Sequence, residues 1–334
     1  MNKKSIRPVT ILTGFLGSGK TTFLNALLKS QPTTRFAIIE NEIGQLNIDS
    51  ILLSKSYGQL IALQDGCLCC TLNDELYGSL ELLHKEQESF DQLLIECTGL
   101  AIPSNIIEPF TLHPIFKNYF PLQRIICMVD AVLVEDQIKD RDEVLRQITA
   151  SDVIIINKTT EVHPNYLTHL FNELSTINPF ATILYATSKT EYPFEAIEKV
   201  KYKKKNSSFS FLKSINSNSS KIIGGLPFAQ QHLTDISTRA YSFEEEFNFI
   251  HLFLALNKLV GKYADKIYRM KGICYKTGEN KKVILQTVGS RVDMDYGNNW
   301  ELEESKCNTL VFIGKELDKL NIEVIFKQIL AGKQ

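Results

Sequence analysis

The chain has 334 residues, 44% of them hydrophobic, which is more than one core usually needs and sets an expectation of two domains. With 37 basic against 38 acidic residues the net charge is -1, giving no electrostatic ground for a nucleic-acid or membrane-surface partner. No apolar run reaches the ~18 residues needed to cross a bilayer, and Met1-Asn2-Lys3-Lys4-Ser5 carries no cleavage signature, so a cytoplasmic protein is expected.

Taken in chain order, the apolar runs predict strands at Val9–Leu12, Phe36–Ile39, Gln59–Leu63, Gln92–Ile95, Ile125–Val129, Val153–Ile156 and Thr182–Leu184. Helical periodicity falls between them, at Thr21–Lys29, Leu72–Glu86, Glu143–Ala150 and Asn165–Leu174. Strands alternating with helices imply an α/β fold, a mostly parallel sheet covered on both faces. After residue 200 a lysine run, Lys201 to Lys205, leads into Ser and Asn, which reads as a solvated linker. A smaller α+β unit follows. Its expected elements are a helix Phe247–Val260, strands Ile267–Cys274, Val283–Val288 and Thr309–Ile313, and a last helix Glu316–Leu330. The expected division is therefore 1–200, a linker 201–235, and 236–334.

Gly14-Phe15-Leu16-Gly17-Ser18-Gly19-Lys20-Thr21 follows the first strand and opens the first helix. That spacing and context describe a P-loop, in which glycines let backbone amides turn toward phosphate oxygens and the helix N-terminus adds a favourable dipole. Lys20 is expected to reach the β- and γ-phosphates, and the Thr21 hydroxyl to bind Mg²⁺. Glu96 ends an apolar strand, where a carboxylate serves the Mg²⁺ hydration shell or positions attacking water. Thr98 and Gly99 follow it, and Gly99 gives a loop near the γ-phosphate its pivot.

Val153 to Ile156 runs into Asn157-Lys158-Thr159-Thr160, a candidate base-reading loop. GTPases carry Asn-Lys-x-Asp here, and the Asp accepts two hydrogen bonds from guanine. Thr160 stands in that place with a single hydroxyl, which weakens discrimination against adenine, unless a loop shift lets Glu161 substitute. GTP remains the first choice.

Cys67, Cys69 and Cys70 place three of the chain's seven cysteines within four positions, suited to a soft ion such as Zn²⁺, with Cu⁺ or Co²⁺ as alternatives. Buried inert thiols, a redox pair and a structural site remain open readings of the same cluster. Cys97, Cys127, Cys274 and Cys307 are isolated and read as core residues. His232 and His251 are likewise single histidines with a structural or solvent-facing reading.

Together these residues resemble the CobW-type GTPase metallochaperones, which include zinc-regulated metalloprotein activators and nitrile hydratase activators. The matching segments are Gly14 to Thr22, Glu40-Asn41-Glu42-Ile43-Gly44, Gly66-Cys67-Leu68-Cys69-Cys70, Glu96 to Ala101, and Asn157-Lys158. In the second unit, Arg269-Met270-Lys271-Gly272 and Leu310-Val311-Phe312-Ile313-Gly314 also match. The resemblance implies a GTPase domain with a Cys-x-Cys-Cys metal site between its switches and a C-terminal domain that helps dock a client metalloprotein. It implies Cys67, Cys69 and Cys70 as ligands, Glu40 as an auxiliary ligand or relay, and Asp49 as an aid to Mg²⁺ or water. It assigns Gly14, Gly17, Ser18, Gly19, Lys20, Thr21, Thr22, Gly99, Asn157 and Lys158 to the nucleotide. Gln45 stands where relatives often carry Glu, and the linker lacks the histidine-rich stretch many of them have.

The expected function is thus a GTP-hydrolysing metallochaperone for Zn²⁺ or Co²⁺. The alternatives are a metal-responsive nucleotide-binding module with little turnover, and a P-loop kinase for a small molecule, against which the thiol cluster argues.

Overall fold

Six largely apolar runs of four to nine residues form parallel strands, the central ones buried on both faces and the edge strand Thr182–Tyr185 half-buried to exposed. The computed structural model describes residues 6–41, 51–55, 59–62, 72–86, 89–186, 191–200, 235–301 and 304–331. Contacts divide the chain into two units, Met1–Asn172 with Ala181–Lys203, and Glu173–Phe180 with Lys204–Gln334.

The first unit carries an eight-stranded sheet in the order β4-β3-β2-β5-β1-β6-β7-β8. Its strands are β1 (Val9–Gly14), β2 (Phe36–Asn41), β3 (Ile51–Lys55), β4 (Gln59–Ala62), β5 (Gln92–Cys97), β6 (Leu122–Asp130), β7 (Val153–Asn157) and β8 (Thr182–Tyr185). The run from β2 to β8 is parallel throughout, while β3 pairs antiparallel with both β2 and β4. The helices are α1 (Lys20–Ser30), α2 (Leu72–Lys85), α3 (Pro103–Thr111), α4 (Pro114–Tyr119), α5 (Val134–Asp140), α6 (Asp142–Ala150), α7 (Pro164–Ile177, of which the residues from Glu173 on are grouped with the second unit) and α8 (Phe194–Lys199).

Alternate strand residues build two cores. Leu12, Leu94, Ile126, Met128, Val153 and Ile155 pack with Phe23, Leu24 and Leu27 of α1 and Ile197 of α8. Their neighbours Ile11, Ile125 and Ile154 are fully buried too, so they face the opposite side, where α3 and α6 contact β6 and β1.

The second unit is a five-stranded antiparallel sheet, ordered β12-β11-β10-β13-β9. Its strands are β9 (Ile236–Phe243), β10 (Ile267–Cys274), β11 (Lys281–Val288), β12 (Arg291–Asn299) and β13 (Asn308–Lys315). Two helices, α9 (Phe249–Lys262) and α10 (Ile322–Ala331), share its core. Phe326 sits at the centre, fully buried, with ring centroids of Tyr241, Phe243, Phe247 and Phe312 5.5–6.2 Å away. Asn248 caps α9, its side-chain oxygen accepting from the amides of Ile250 and His251 at 3.1 and 3.2 Å.

The expected last helix, Glu316–Leu330, is corrected to two pieces. A 3₁₀ turn, Leu317–Leu320, is followed by Asn321 at φ 50, and only then does α10 begin. An asparagine tolerates that left-handed break, which a continuous helix cannot contain. The linker expected at 201–235 falls almost wholly outside the described residues. No helix among the described residues is long and apolar enough to cross a membrane.

Candidate nucleotide-binding site

All the described candidate residues lie at one edge of the parallel sheet. Gly14 ends β1, Glu96 and Cys97 end β5, Asp130 ends β6 and Asn157 ends β7. The carboxyl edge of an open α/β sheet is where ligands bind, because strand ends and helix starts meet there.

The loop between β1 and α1 turns through Gly14, Gly17 and Gly19, all at positive φ. Gly19 is needed twice over. Its φ of 97 strains any side chain, and a Cβ there would collide with the Asn157 amide nitrogen. Lys20 opens α1 nearly buried, and its ammonium donates to the carbonyls of Gly14 (2.8 Å) and Phe15 (3.2 Å). Burial pushes Lys20 below the ordinary lysine range, with the Glu96 carboxylate the chief opposing influence. Thr21 donates its hydroxyl to Glu96 Oε1 at 2.9 Å. Thr22, next along α1, is exposed.

Three hydroxyl oxygens at this edge, Thr13 Oγ1, Ser18 Oγ and Thr98 Oγ1, are buried with no hydrogen-bond partner among the described residues. Buried hydroxyls normally find partners, so their clustering around a phosphate-type loop fits an anionic ligand rich in acceptors. The paired oxygens of Thr21 and Glu96 fit a hard divalent cation such as Mg²⁺.

The loop after β5 packs directly on the P-loop. A Cβ on Gly99 would stand 2.6 Å from the Leu16 backbone nitrogen, so only glycine allows the approach. Gln147 of α6, fully buried, holds this loop by donating to the carbonyls of Gly99 (3.0 Å) and Ala101 (3.1 Å).

Asn157 donates its amide to Ser18 O at 2.9 Å, bracing the base-reading loop against the phosphate loop. Lys158 is left-handed at φ 57, and its ammonium meets the buried Asp130 carboxylate at 2.5 Å. Thr159 donates its hydroxyl to Ala186 O at 2.8 Å, while Thr160 and Glu161 are exposed.

Asp130 and Gln147 were not among the sequence candidates. Asp130 carries the same signal that singled out Glu96, an acid ending an apolar strand. Gln147 has only a weak one, a polar residue beside the apolar face Val144, Leu145 and Ile148.

Asp49, Cys67, Cys69 and Cys70 lie outside the described residues, as do Gln45 and His232. Glu40 is placed by its backbone alone, in register with Glu96 on the adjacent strand. Among the described residues no group of three or more His, Cys, Asp or Glu could hold a metal ion. Cys97, Cys127 and Cys274 are buried core thiols, and burial pushes the first two up to about 12. Cys307 is half-buried, and His251 is exposed.

The sequence profile of the CobW/HypB/UreG nucleotide-binding domain matches residues 8–185, and that of the cobalamin synthesis protein CobW C-terminal domain matches 236–330. The zinc chaperone YjiA of Escherichia coli K12 is 30% identical over 322 residues, covering 95% of this chain and 97% of its own. The zinc chaperone CobW of Pseudomonas aeruginosa is 28% identical over 361 residues, covering 97% and 92%. A crystal structure of Zn(II)-bound YjiA GTPase from E. coli superposes with a TM-score of 0.66 at 27% identity, covering 98% of this chain and 99% of that one.

Proposed function

The chain belongs to the CobW/HypB/UreG nucleotide-binding family, and from that premise we propose a GTP-hydrolysing metallochaperone that carries Zn²⁺, or alternatively Co²⁺, to a client metalloprotein. The cargo ion is held by the thiolates of Cys67, Cys69 and Cys70, with Glu40 assisting. The client docks partly through the C-terminal unit, in the cytoplasm.

One observation carries the reading. β3 reverses the direction of β2, and β4 reverses it again, so β4 runs the same way as β2. The chain therefore leaves Ala62 toward the cysteine segment at the sheet edge where Gly14 and Glu96 end. Three strand spacings separate β4 from β5 in the sheet order, roughly 14 Å. That geometry supports a thiol site sharing moving parts with the phosphate site.

The amides of Gly17 to Gly19 wrap the phosphates, and Ser18 adds a hydroxyl that has no hydrogen-bond partner among the described residues. Lys20 exchanges its carbonyl partners Gly14 and Phe15 for β- and γ-phosphate oxygens. Thr21 and Glu96 would hold Mg²⁺, which supplies charge neutralisation along the triphosphate. Glu96 and Asp49 orient the attacking water, and Thr22 lines the phosphate mouth. Asn157 and Lys158 frame the base. Loss of the γ-phosphate frees the Thr98–Ala101 loop and the segment after Glu40, and the thiolate geometry loosens with them.

The test is Zn²⁺ affinity measured with and without a non-hydrolysable GTP analogue, with Cys69→Ala as control. A coupling on the order of tenfold is expected. Equal affinities in the two states would sink the gating while leaving hydrolysis standing. Hydrolysis itself is checked by phosphate release, which Lys20→Ala should cut by ~10²–10³-fold.

A further inference from the structure

Three consecutive residues of the base-reading loop are fixed by their side chains. Asn157 is tied to Ser18 O at 2.9 Å, Lys158 to Asp130 Oδ2 at 2.5 Å, and Thr159 to Ala186 O at 2.8 Å. The backbone is held as well. Asn157 O accepts from the Ala131 amide at 3.0 Å, and Lys158 O from the Glu161 amide at 3.0 Å. A one-residue shift that brought Glu161 into the place of Thr160 would break all three side-chain ties. It would also force β-branched Thr159 into the left-handed conformation Lys158 now occupies at φ 57.

Thr160 is therefore the residue that offers its side chain at this point, from an exposed position on the 3₁₀ turn Thr159–Glu161. Guanine presents two adjacent N–H donors on its Watson–Crick edge, which a carboxylate accepts together. Adenine presents one donor beside one acceptor. A hydroxyl both donates and accepts, so it complements adenine at least as well as guanine, and it brings no charge to strengthen the guanine contact.

Resting on the nucleotide-hydrolase reading above, we propose that Thr160 gives this site a relaxed base preference, so that ATP and GTP are both substrates. The fixed loop is what makes the consequence firm, since Glu161, the acid next in sequence, is held out of the place of Thr160. The discrimination expected of such a site is below about tenfold, because rejecting a base strongly requires leaving a buried polar group of the site unpaired.

The experiment is equilibrium titration of the full-length protein, in Mg²⁺, with fluorescent GTP and ATP analogues, repeated as phosphate release from the natural nucleotides. Wild type should bind the two within about tenfold of one another. Thr160→Asp should raise the GTP-over-ATP ratio by on the order of 10²-fold, through the charge-assisted pair it restores. Glu161→Gln should leave the ratio where it was. Wild type that binds GTP a hundredfold more tightly than ATP overturns the inference, as does a ratio that Thr160→Asp leaves flat or Glu161→Gln collapses. Binding of neither nucleotide overturns the hydrolase reading itself and the inference with it.

Discussion

At the carboxyl edge of the parallel sheet, polar side chains are committed to two loops, the P-loop and the loop after β5 packed against it. Lys20 holds the carbonyls of Gly14 and Phe15, Asn157 holds Ser18 O, and Gln147 holds Gly99 and Ala101. In the antiparallel unit the centre is a set of aromatic rings around Phe326. The first arrangement keeps a backbone shape that glycines alone permit, and its worth lies in what the shape binds. The second maximises dispersion contact and apolar burial, and its worth lies in stability. Changes in the one should register in ligand affinity, and changes in the other in unfolding.

The largest expected effect tests that division directly. Phe326→Ala removes a fully buried ring and should lower the stability of the second unit by about 3–5 kcal/mol. Trp300, the single tryptophan of the chain, lies in this unit, so urea unfolding followed by its fluorescence reports the loss. Nucleotide affinity should be unchanged, and a matching fall would break the comparison.

Next is Gln147→Leu, which keeps the volume but leaves the Gly99 and Ala101 carbonyls without their donor. A cost of about 1–3 kcal/mol to the first unit is expected, with weaker binding of a triphosphate analogue. Thermal melting with and without the analogue measures both, and unaltered values would remove Gln147 from its positioning role. The smallest effect belongs to Asn248→Ala. Loss of the cap on α9 should cost about 1 kcal/mol in the Trp300-monitored transition and nothing in nucleotide binding.

The two units also differed in how far the sequence disclosed them. Strands buried on both faces, such as Val9–Gly14 and Val153–Asn157, stand out as largely apolar runs. β12 does not. Arg291–Asn299 carries two Asp, a Gly and two Asn, and its strand state comes from pairing along β11 rather than from its own residues. β9 is half-exposed along most of its length and gives an equally faint pattern. Helices α3 and α4 are short and carry Pro103, Pro109 and Pro114, which obscure a helical pattern, although Pro103 and Pro114 occupy first-turn positions where proline is compatible with a helix.

At the site, the residues bound to a spacing rule were legible: Gly14, Lys20, Thr21 and Asn157 follow from the order of the motif. Asp130 and Gln147 were not singled out, since what they do depends on partners 28 and 46–48 positions away.

The bond from Asn157 to Ser18 has a consequence of its own. It registers the two ends of the cleft against each other before any ligand enters, so the cleft behaves as a ruler of fixed length. A nucleotide whose base-to-phosphate reach matches that ruler loses little freedom in aligning its ends, and one with a longer or shorter reach must surrender contact at one end. Discrimination by length is thus set into the scaffold, independently of which base is attached.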